Sequence, residues 1–377
     1  MAWVSVVIVF SFDYPPHDGG IARLCSEIVS AAAAAGVAVE VLTQSSELSG
    51  LSVPGVPTVR VNPERPRREL AALIRVPSWR DAVVVSGIWY PEGLLAALGQ
   101  PRFHAILAHG MELMPSRSPW RRRLWSTLQR RTLEGAQVVV AHSQYTAEWV
   151  RRTAPAAVVE LVPLAVDATR FTPDGREAER ERRGWQGKQV VLTVSRLAGY
   201  KAHDTVLRAI ALLPKEQRSD LRYAIAGRGP AEASLRALAS ELGVASMVEW
   251  LGFVAESELA SLYAASDLFV LLTREREATR EVEGFGLVFL EAQACGTAVL
   301  GARTGGIPDA VSEGEGGWLI EADDEAALSV HLRALVASPE TVRAEGARGR
   351  ERVLRDCTWE GYWLAFRAAL NRHGAGL

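Results

Sequence analysis

Two doubly wound α/β halves, each on a parallel sheet, are the fold class this 377-residue chain predicts. Three observations carry that expectation. Short apolar runs rich in Val and Ile alternate with longer Ala/Leu-rich stretches. The runs are continuously apolar, as strands buried on both faces must be. The alternation then restarts after VDATRFTPDGREAERERRGWQG (166–187), a segment holding a proline, glycines and a charge run. With 48% hydrophobic and 23% charged residues the composition is that of an ordinary globular protein, and the length suits two domains.

In chain order, VSVVIVF (4–10) comes first. It has no basic stretch before it and is too short to cross a bilayer, so it reads as a buried strand and not a signal peptide. The helix IARLCSEIVSAAAAAG (21–36) follows, then strands VAVEVLT (37–43), DAVVVSG (81–87), HAILAHG (104–110), AQVVVAHS (136–143) and VVELVP (158–163). The second half offers QVVLTVSRL (189–197), RYAIAGRG (222–229), MVEWLGF (247–253), DLFVLLT (267–273), TAVLGAR (297–303) and GWLIEA (317–322). Gly36, Gly243, Gly296 and Gly316 read as helix C-terminal glycines. The tail reads as an amphipathic helix, with Trp359, Trp363, Phe366 and Leu370 at helical spacing.

A net charge of −2 argues against a general nucleic-acid binder. Cys25, Cys295 and Cys357 are far apart and form no CxxC pair, so neither a disulfide framework nor a structural zinc site is expected, and a reducing cytoplasm fits.

Open α/β sheets bind ligands beyond the carboxyl ends of their strands. Two such sheets predict a site in a cleft that the domains face across. Motifs at strand ends therefore deserve the weight. No GxGxxG is present after the first strand, which disfavours a classical dinucleotide site; instead Gly19 and Gly20 open a helix whose free N–H groups suit an anion or a close-lying ligand. His109 ends a strand, where it can bond a substrate hydroxyl or tune a reacting group, although a lone histidine is more often structural. Arg196 and Lys201 follow the first strand of the second half and suit a diphosphate; a solvated loop is the plainer alternative. The Gly-rich turn ending at Gly229 can approach a nucleotide or simply connect a strand to a helix.

The richest stretch is EVEGFGLVFLEAQACG (281–296). Gly284, Phe285, Gly286 and Leu287 stand at the start of an apolar helix, an anion site by its unbonded N–H groups. Glu283 precedes it and Glu291 lies inside it. A carboxylate within an apolar helix needs hydrogen-bond partners, which sugar or ribose hydroxyls would supply. A different stretch, 115–133, holds six arginines between 117 and 131 and no acid, with Trp120, Leu124 and Leu128 on one stripe. Such a helix can lie on an anionic membrane; core packing with a solvated basic face is the preferred reading, since one stripe serves both.

Together the GG turn at 19–20, HG at 109–110, AHSQYT (141–146), VPLAVDATRFTP (162–173), SRLAGYKAHD, AGRGP, EGFGLVFLEAQACGTAV and GGIPDAV resemble the retaining GT-B glycosyltransferases of family 4 (glycosyl transferases group 1), a large bacterial group, over nearly the whole chain. The resemblance implies an N-terminal acceptor domain (1–170, plus a crossover helix at 357–377) and a C-terminal donor domain (171–356). It implies that Arg196 and Lys201 bind the donor diphosphate, and that Glu283 holds hydroxyls of the transferred sugar. It also implies that Gly284–Leu287 touch sugar and phosphate, that Glu291 binds the ribose, that His109 lies near the reacting face of the sugar, and that Gly20 lies against the donor. No metal and no cofactor are implied; the substrate is a UDP-, GDP- or other NDP-sugar. Ala202 stands where the family often has glycine, and Leu164–Ala165 where Asn-Gly is frequent.

The expected reaction is transfer to an acceptor hydroxyl by front-face attack, with retention and with stabilisation of the leaving diphosphate. The acceptor is left open among lipid, natural product, glycan and metabolite, and localisation is cytoplasmic or peripheral at the inner membrane face. Two alternatives stand beside it: a GT-B sugar-nucleotide epimerase, and a non-catalytic nucleotide-sugar binding protein.

Overall fold

The computed structural model describes residues 6–17, 19–44, 53–75, 79–114, 119–276 and 279–377. The chain divides into two compact units, Met1–Pro163 with Trp359–Leu377, and Leu164–Thr358. The division at Pro163/Leu164 falls ahead of the boundary expected at 170. The charge run is not a linker: REAERERR forms a helix whose Glu179 and Arg180 are buried within the second unit.

The first unit carries strands β1 (Val7–Phe10), β2 (Val39–Gln44), β3 (Thr58–Val61), β4 (Val83–Ser86), β5 (Phe103–Ala108), β6 (Val138–Ala141) and β7 (Val159–Leu161). All pair in parallel, in the order β3-β2-β1-β4-β5-β6-β7. The sequence did not suggest β3, whose TVRV is half-buried at the sheet edge and interrupted by Arg60. Helices α1 (Gly20–Ala34), α2 (Arg67–Arg75), α3 (Leu94–Gly99), α4 (Pro119–Gly135) and α5 (Gln144–Thr153) cover the sheet.

In the second unit β8 (Gln189–Val194), β9 (Leu221–Ala226), β10 (Val248–Gly252), β11 (Leu268–Leu271), β12 (Ala298–Ala302) and β13 (Gly317–Ile320) form a parallel sheet ordered β10-β9-β8-β11-β12-β13. Its helices are α6 (Arg176–Arg183), α7 (His203–Ala211), α8 (Lys215–Arg218), α9 (Glu232–Glu241), α10 (Glu256–Ala265), α11 (Leu287–Ala294), α12 (Ile307–Ala310), α13 (Glu325–Ala337) and α14 (Pro339–Asp356). The last helix, α15 (Trp359–Arg372), belongs to the first unit: it packs on α1, and Arg372 and His373 both bond Glu160 of β7. Those bonds outweigh burial and hold the Glu160 carboxyl below its ordinary range.

Gly36, Gly243 and Gly296 do end helices in the left-handed region. Gly316 does not. It precedes β13, and a Cβ there would lie 2.1 Å from the Gly349 Cα of α14, so close backbone approach is what requires glycine.

Candidate active site

In the second unit the strand order reverses between β8 and β11, the switch point where open α/β sheets take ligands. Arg196, Lys201, Glu283 and the start of α11 all hang on loops at the carboxyl ends of these two paired strands. Lys201 closes a short turn, Gly199–Lys201, and its Nζ donates to Glu283 Oε2 at 2.6 Å. The side chains are only 11% and 21% exposed, so the pair is shielded from bulk water. Arg196, by contrast, is exposed, with no ion-pair partner among the described residues. A shielded cation, an unpaired cation and a helix start thus meet at one end of the sheet. That combination can hold a dianion while placing a carboxylate beside it.

Glu283 is fixed through its backbone. Gly306 N–H donates to its carbonyl at 2.8 Å. Gly305, at φ +55, lies so close that a Cβ would fall 2.4 Å from the same oxygen. The Gly-rich turn TGGIPDAV therefore holds Glu283 in place. Gly284 and Leu287 are half-buried, while Phe285 turns into the core and Gly286, at φ +94, precedes α11. Glu291 is 6% exposed, and the Tyr263 hydroxyl donates to its Oε2 at 3.0 Å. The protein itself therefore supplies one of the partners that this carboxylate needs. Gly229 also has an internal reason to be glycine, since a Cβ there would lie 2.2 Å from the Leu197 carbonyl oxygen. Ala202 takes the left-handed conformation (φ +53), at a cost of about 1 kcal/mol that glycine would avoid.

Beneath Arg196 runs a buried hydrogen-bond chain that joins Ser195 and His203 of SRLAGYKAHD to Thr193 and Tyr223. Thr193 Oγ1 donates to the Val270 carbonyl at 2.6 Å, so it must accept from Tyr223 Oη at 3.1 Å. Tyr223 then accepts from His203 Nδ1 at 3.1 Å, and His203 Nε2 accepts from Ser195 Oγ at 3.0 Å. Burial, helped by the charge of Lys201, pushes His203 down to about 4, which keeps the ring neutral as this order needs.

In the first unit the switch point lies between β1 and β4. His109, just after β5, donates from Nε2 to the Gly87 carbonyl beyond β4 at 2.7 Å. That bond fixes the tautomer and leaves Nδ1 as an acceptor. Gly20 is the first residue of α1, and a Cβ there would meet nothing within 4 Å. Packing therefore does not explain the glycine. Among the described residues no cluster of His, Cys, Asp or Glu is placed to hold a metal ion, and no helix is long and apolar enough to cross a membrane.

Of the basic stretch, 115–118 and the side chains of 119–122, Trp120 included, lie outside the described residues. The buried face of α4 is Gln129, Thr132 and Leu133, with Trp125 half-buried edge-on to Trp89 and Tyr90. Of the named stripe, Leu124 is 73% exposed beside Arg123 and Leu128 is half-buried.

Comparison with known proteins agrees across both units. Residues 175–352 match the family model "Glycosyl transferases group 1", and residues 18–170 match "Glycosyltransferase Family 4". A GDP-mannose-dependent alpha-(1-6)-phosphatidylinositol monomannoside mannosyltransferase of Mycolicibacterium smegmatis is 31% identical over 372 residues, covering 94% of this chain and 95% of that one. A D-inositol 3-phosphate glycosyltransferase of Rhodococcus opacus is 34% identical over 58% of this chain and 50% of its own. Among solved structures, Anabaena Alr3699/HepE with UDP and glucose superposes with a TM-score of 0.77 at 18% identity, over 98% of this chain and 100% of that one. The strand-end site, the two parallel sheets and these likenesses lead to one conclusion: the chain belongs to glycosyltransferase family 4, with the GT-B fold, and is a glycosyltransferase.

Proposed function

We propose that this enzyme moves a mannosyl group from GDP-mannose to a hydroxyl of an inositol-phosphate-bearing lipid, with retention and without a metal. The carrying observation is the shielded Lys201–Glu283 pair at the start of α11, beside the unpaired Arg196. The names of the full-length relatives support the donor and the acceptor class. In the proposed reaction the bond from the anomeric carbon to the phosphate oxygen breaks, and its electron pair leaves with the diphosphate. The acceptor oxygen bonds to the same face, and its proton passes to the departing phosphate oxygen. Arg196, Lys201 and the N–H groups of Gly284–Leu287 stabilise the growing charge on the diphosphate. Glu283 accepts from sugar hydroxyls while still held by Lys201, and Glu291, oriented by Tyr263, accepts from the ribose. His109 accepts a bond from a substrate hydroxyl at Nδ1. Gly20 and Gly229 allow close backbone approach to the ligand.

The test is a panel of nucleotide sugars with the purified enzyme and a mannosylated inositol phospholipid. GDP-mannose is expected to stabilise the fold by about 2.7 kcal/mol at a hundred times its Kd, and to give an α-linked product in EDTA. Binding of no nucleotide sugar sinks the reading; a β-linked product or loss of activity in EDTA sinks the mechanism. An epimerase would isomerise the donor without acceptor, and a binding protein would release no GDP.

A lipid acceptor gives the outer face of α4 a role in the same proposal. Helices α2, α3 and α4 pack in succession, and each exposes large aliphatic side chains: Leu70 and Ile74 (56% and 81% exposed), Leu98 and Leu124. Exposed Arg75, Arg123, Arg130 and Arg131 accompany them. Aliphatic groups among arginines complement an anionic bilayer surface. The enzyme is expected to float with anionic but not neutral liposomes, and Ile74→Glu with Leu124→Glu to abolish flotation; equal behaviour with both liposomes removes this part.

A further inference from the structure

We propose that Arg274 is a positioning residue that sets Lys201, an inference resting on the donor site proposed above. Arg274 follows β11 in the charged loop REREATREVE (274–283), which from sequence alone either folds over the site or merely screens it. The half-buried Arg274 guanidinium turns inward, and each of its five N–H donors has a protein acceptor. Nε donates to Asp323 Oδ1 at 2.5 Å. One terminal nitrogen donates to the Gly199 carbonyl at 2.8 Å and to Asp204 Oδ1 at 2.9 Å. The other donates to Asp204 Oδ2 at 2.8 Å and to Thr205 Oγ1 at 3.0 Å. Its backbone N–H donates to the Tyr200 carbonyl at 2.7 Å.

The acceptors bracket Lys201. Gly199 and Tyr200 lie before it, Asp204 and Thr205 after it, and Lys201 itself is not among them. Beyond Arg274, the Lys201 N–H donates to the Ala198 carbonyl at 2.9 Å and buried His203 anchors the start of α7, which has no side-chain cap; Ala202 between them is in the left-handed region. Burial alone would raise the Asp204 carboxyl; the bonds and charge of Arg274 outweigh it and hold Asp204 below its ordinary value. Arg274 and Glu283 also sit on the same loop between β11 and α11. That loop therefore grips the turn under Lys201 and supplies the carboxylate that Lys201 reaches. With all five donors engaged, Arg274 has none left for a ligand, which separates it from Arg196. A lysine there could not reproduce the planar fork.

Two readouts test this, one independent of any substrate. The chain's lysines are Lys188, Lys201 and Lys215, so amine labelling with mass spectrometry reads Lys201 against two internal references. In Arg274→Lys, Lys201 is expected to label several-fold faster than in the wild type while Lys188 and Lys215 keep their rates. Unchanged Lys201 labelling overturns the proposal, whatever the enzyme's substrate. The second readout is a double-mutant cycle on GDP-mannose turnover. Arg274→Lys is expected to lower kcat/KM by about 10–100-fold, but by less than about 2-fold in a Lys201→Ala background, because the two act through one group. Equal losses in both backgrounds overturn it. Absence of GDP-mannose binding by the wild type instead rejects the donor-site reading, and labelling still decides the role of Arg274.

Discussion

Lys201→Ala is expected to lower kcat by about 10²–10³-fold with GDP-mannose, the loss typical of removing one donor aimed at developing charge. Two effects of the same sign combine. The ammonium that stabilises the departing diphosphate is gone. Glu283, which now bonds Lys201 at 2.6 Å, becomes an uncompensated carboxylate beside that diphosphate. Because both are partly shielded, the deletion also costs stability, about 1–2 kcal/mol, less than for a fully buried pair. Circular dichroism and thermal unfolding must therefore show the variant folded at the assay temperature. Glu283→Gln provides the contrast: it keeps the shape and the acceptor but removes the charge, so it should impair turnover alone and, in a Lys201→Ala background, recover only the part of the loss that the uncompensated carboxylate causes. A Lys201→Ala enzyme within about 2-fold of the wild type in kcat and KM would reject the assigned role.

The parts of this site that the sequence made legible share one property: their chemistry is local. Continuous Val/Ile runs announce parallel strands because burial on both faces is a property of the run itself. The start of α11 was readable from Gly284, Gly286 and the apolar residues after them for the same reason. What was not legible depends on chain-distant partners. Tyr263 reaches Glu291 from another helix. Arg274 is one of several charges in a loop until Gly199, Asp204 and Asp323 are placed around it. The glycines at 229 and 316 were assigned by position, yet Leu197 and Gly349 are what crowd them. Helix α6, polar on nearly every face, carries no periodic apolar stripe from which packing could be predicted.

That last helix leads to the largest stability effect expected in the second unit. Asp267 immediately precedes β11, with its carboxylate fully buried. It bonds Arg176, accepts from Arg180 at 3.1 Å, and accepts the Val190 N–H at 2.8 Å. Arg180 further donates to the Ala265 and Trp185 carbonyls, so α6 is locked to the amino ends of β8 and β11. Removing the carboxylate leaves guanidinium charge in a site with little water. Asp267→Ala is therefore expected to destabilise by about 3–5 kcal/mol, a fall of roughly 6–20 °C in Tm for a domain of this size. Arg180→Met, which removes one buried charge and keeps the volume, should lose less. Strand β8 separates this cluster from Arg196 by ~17 Å, so donor affinity measured well below the transition should stay within about 2-fold of the wild type. A change in Tm under about 2 °C would show that the cluster is not what secures α6. Preserved stability with lost donor binding would place Asp267 in the function of the site and not in its foundation.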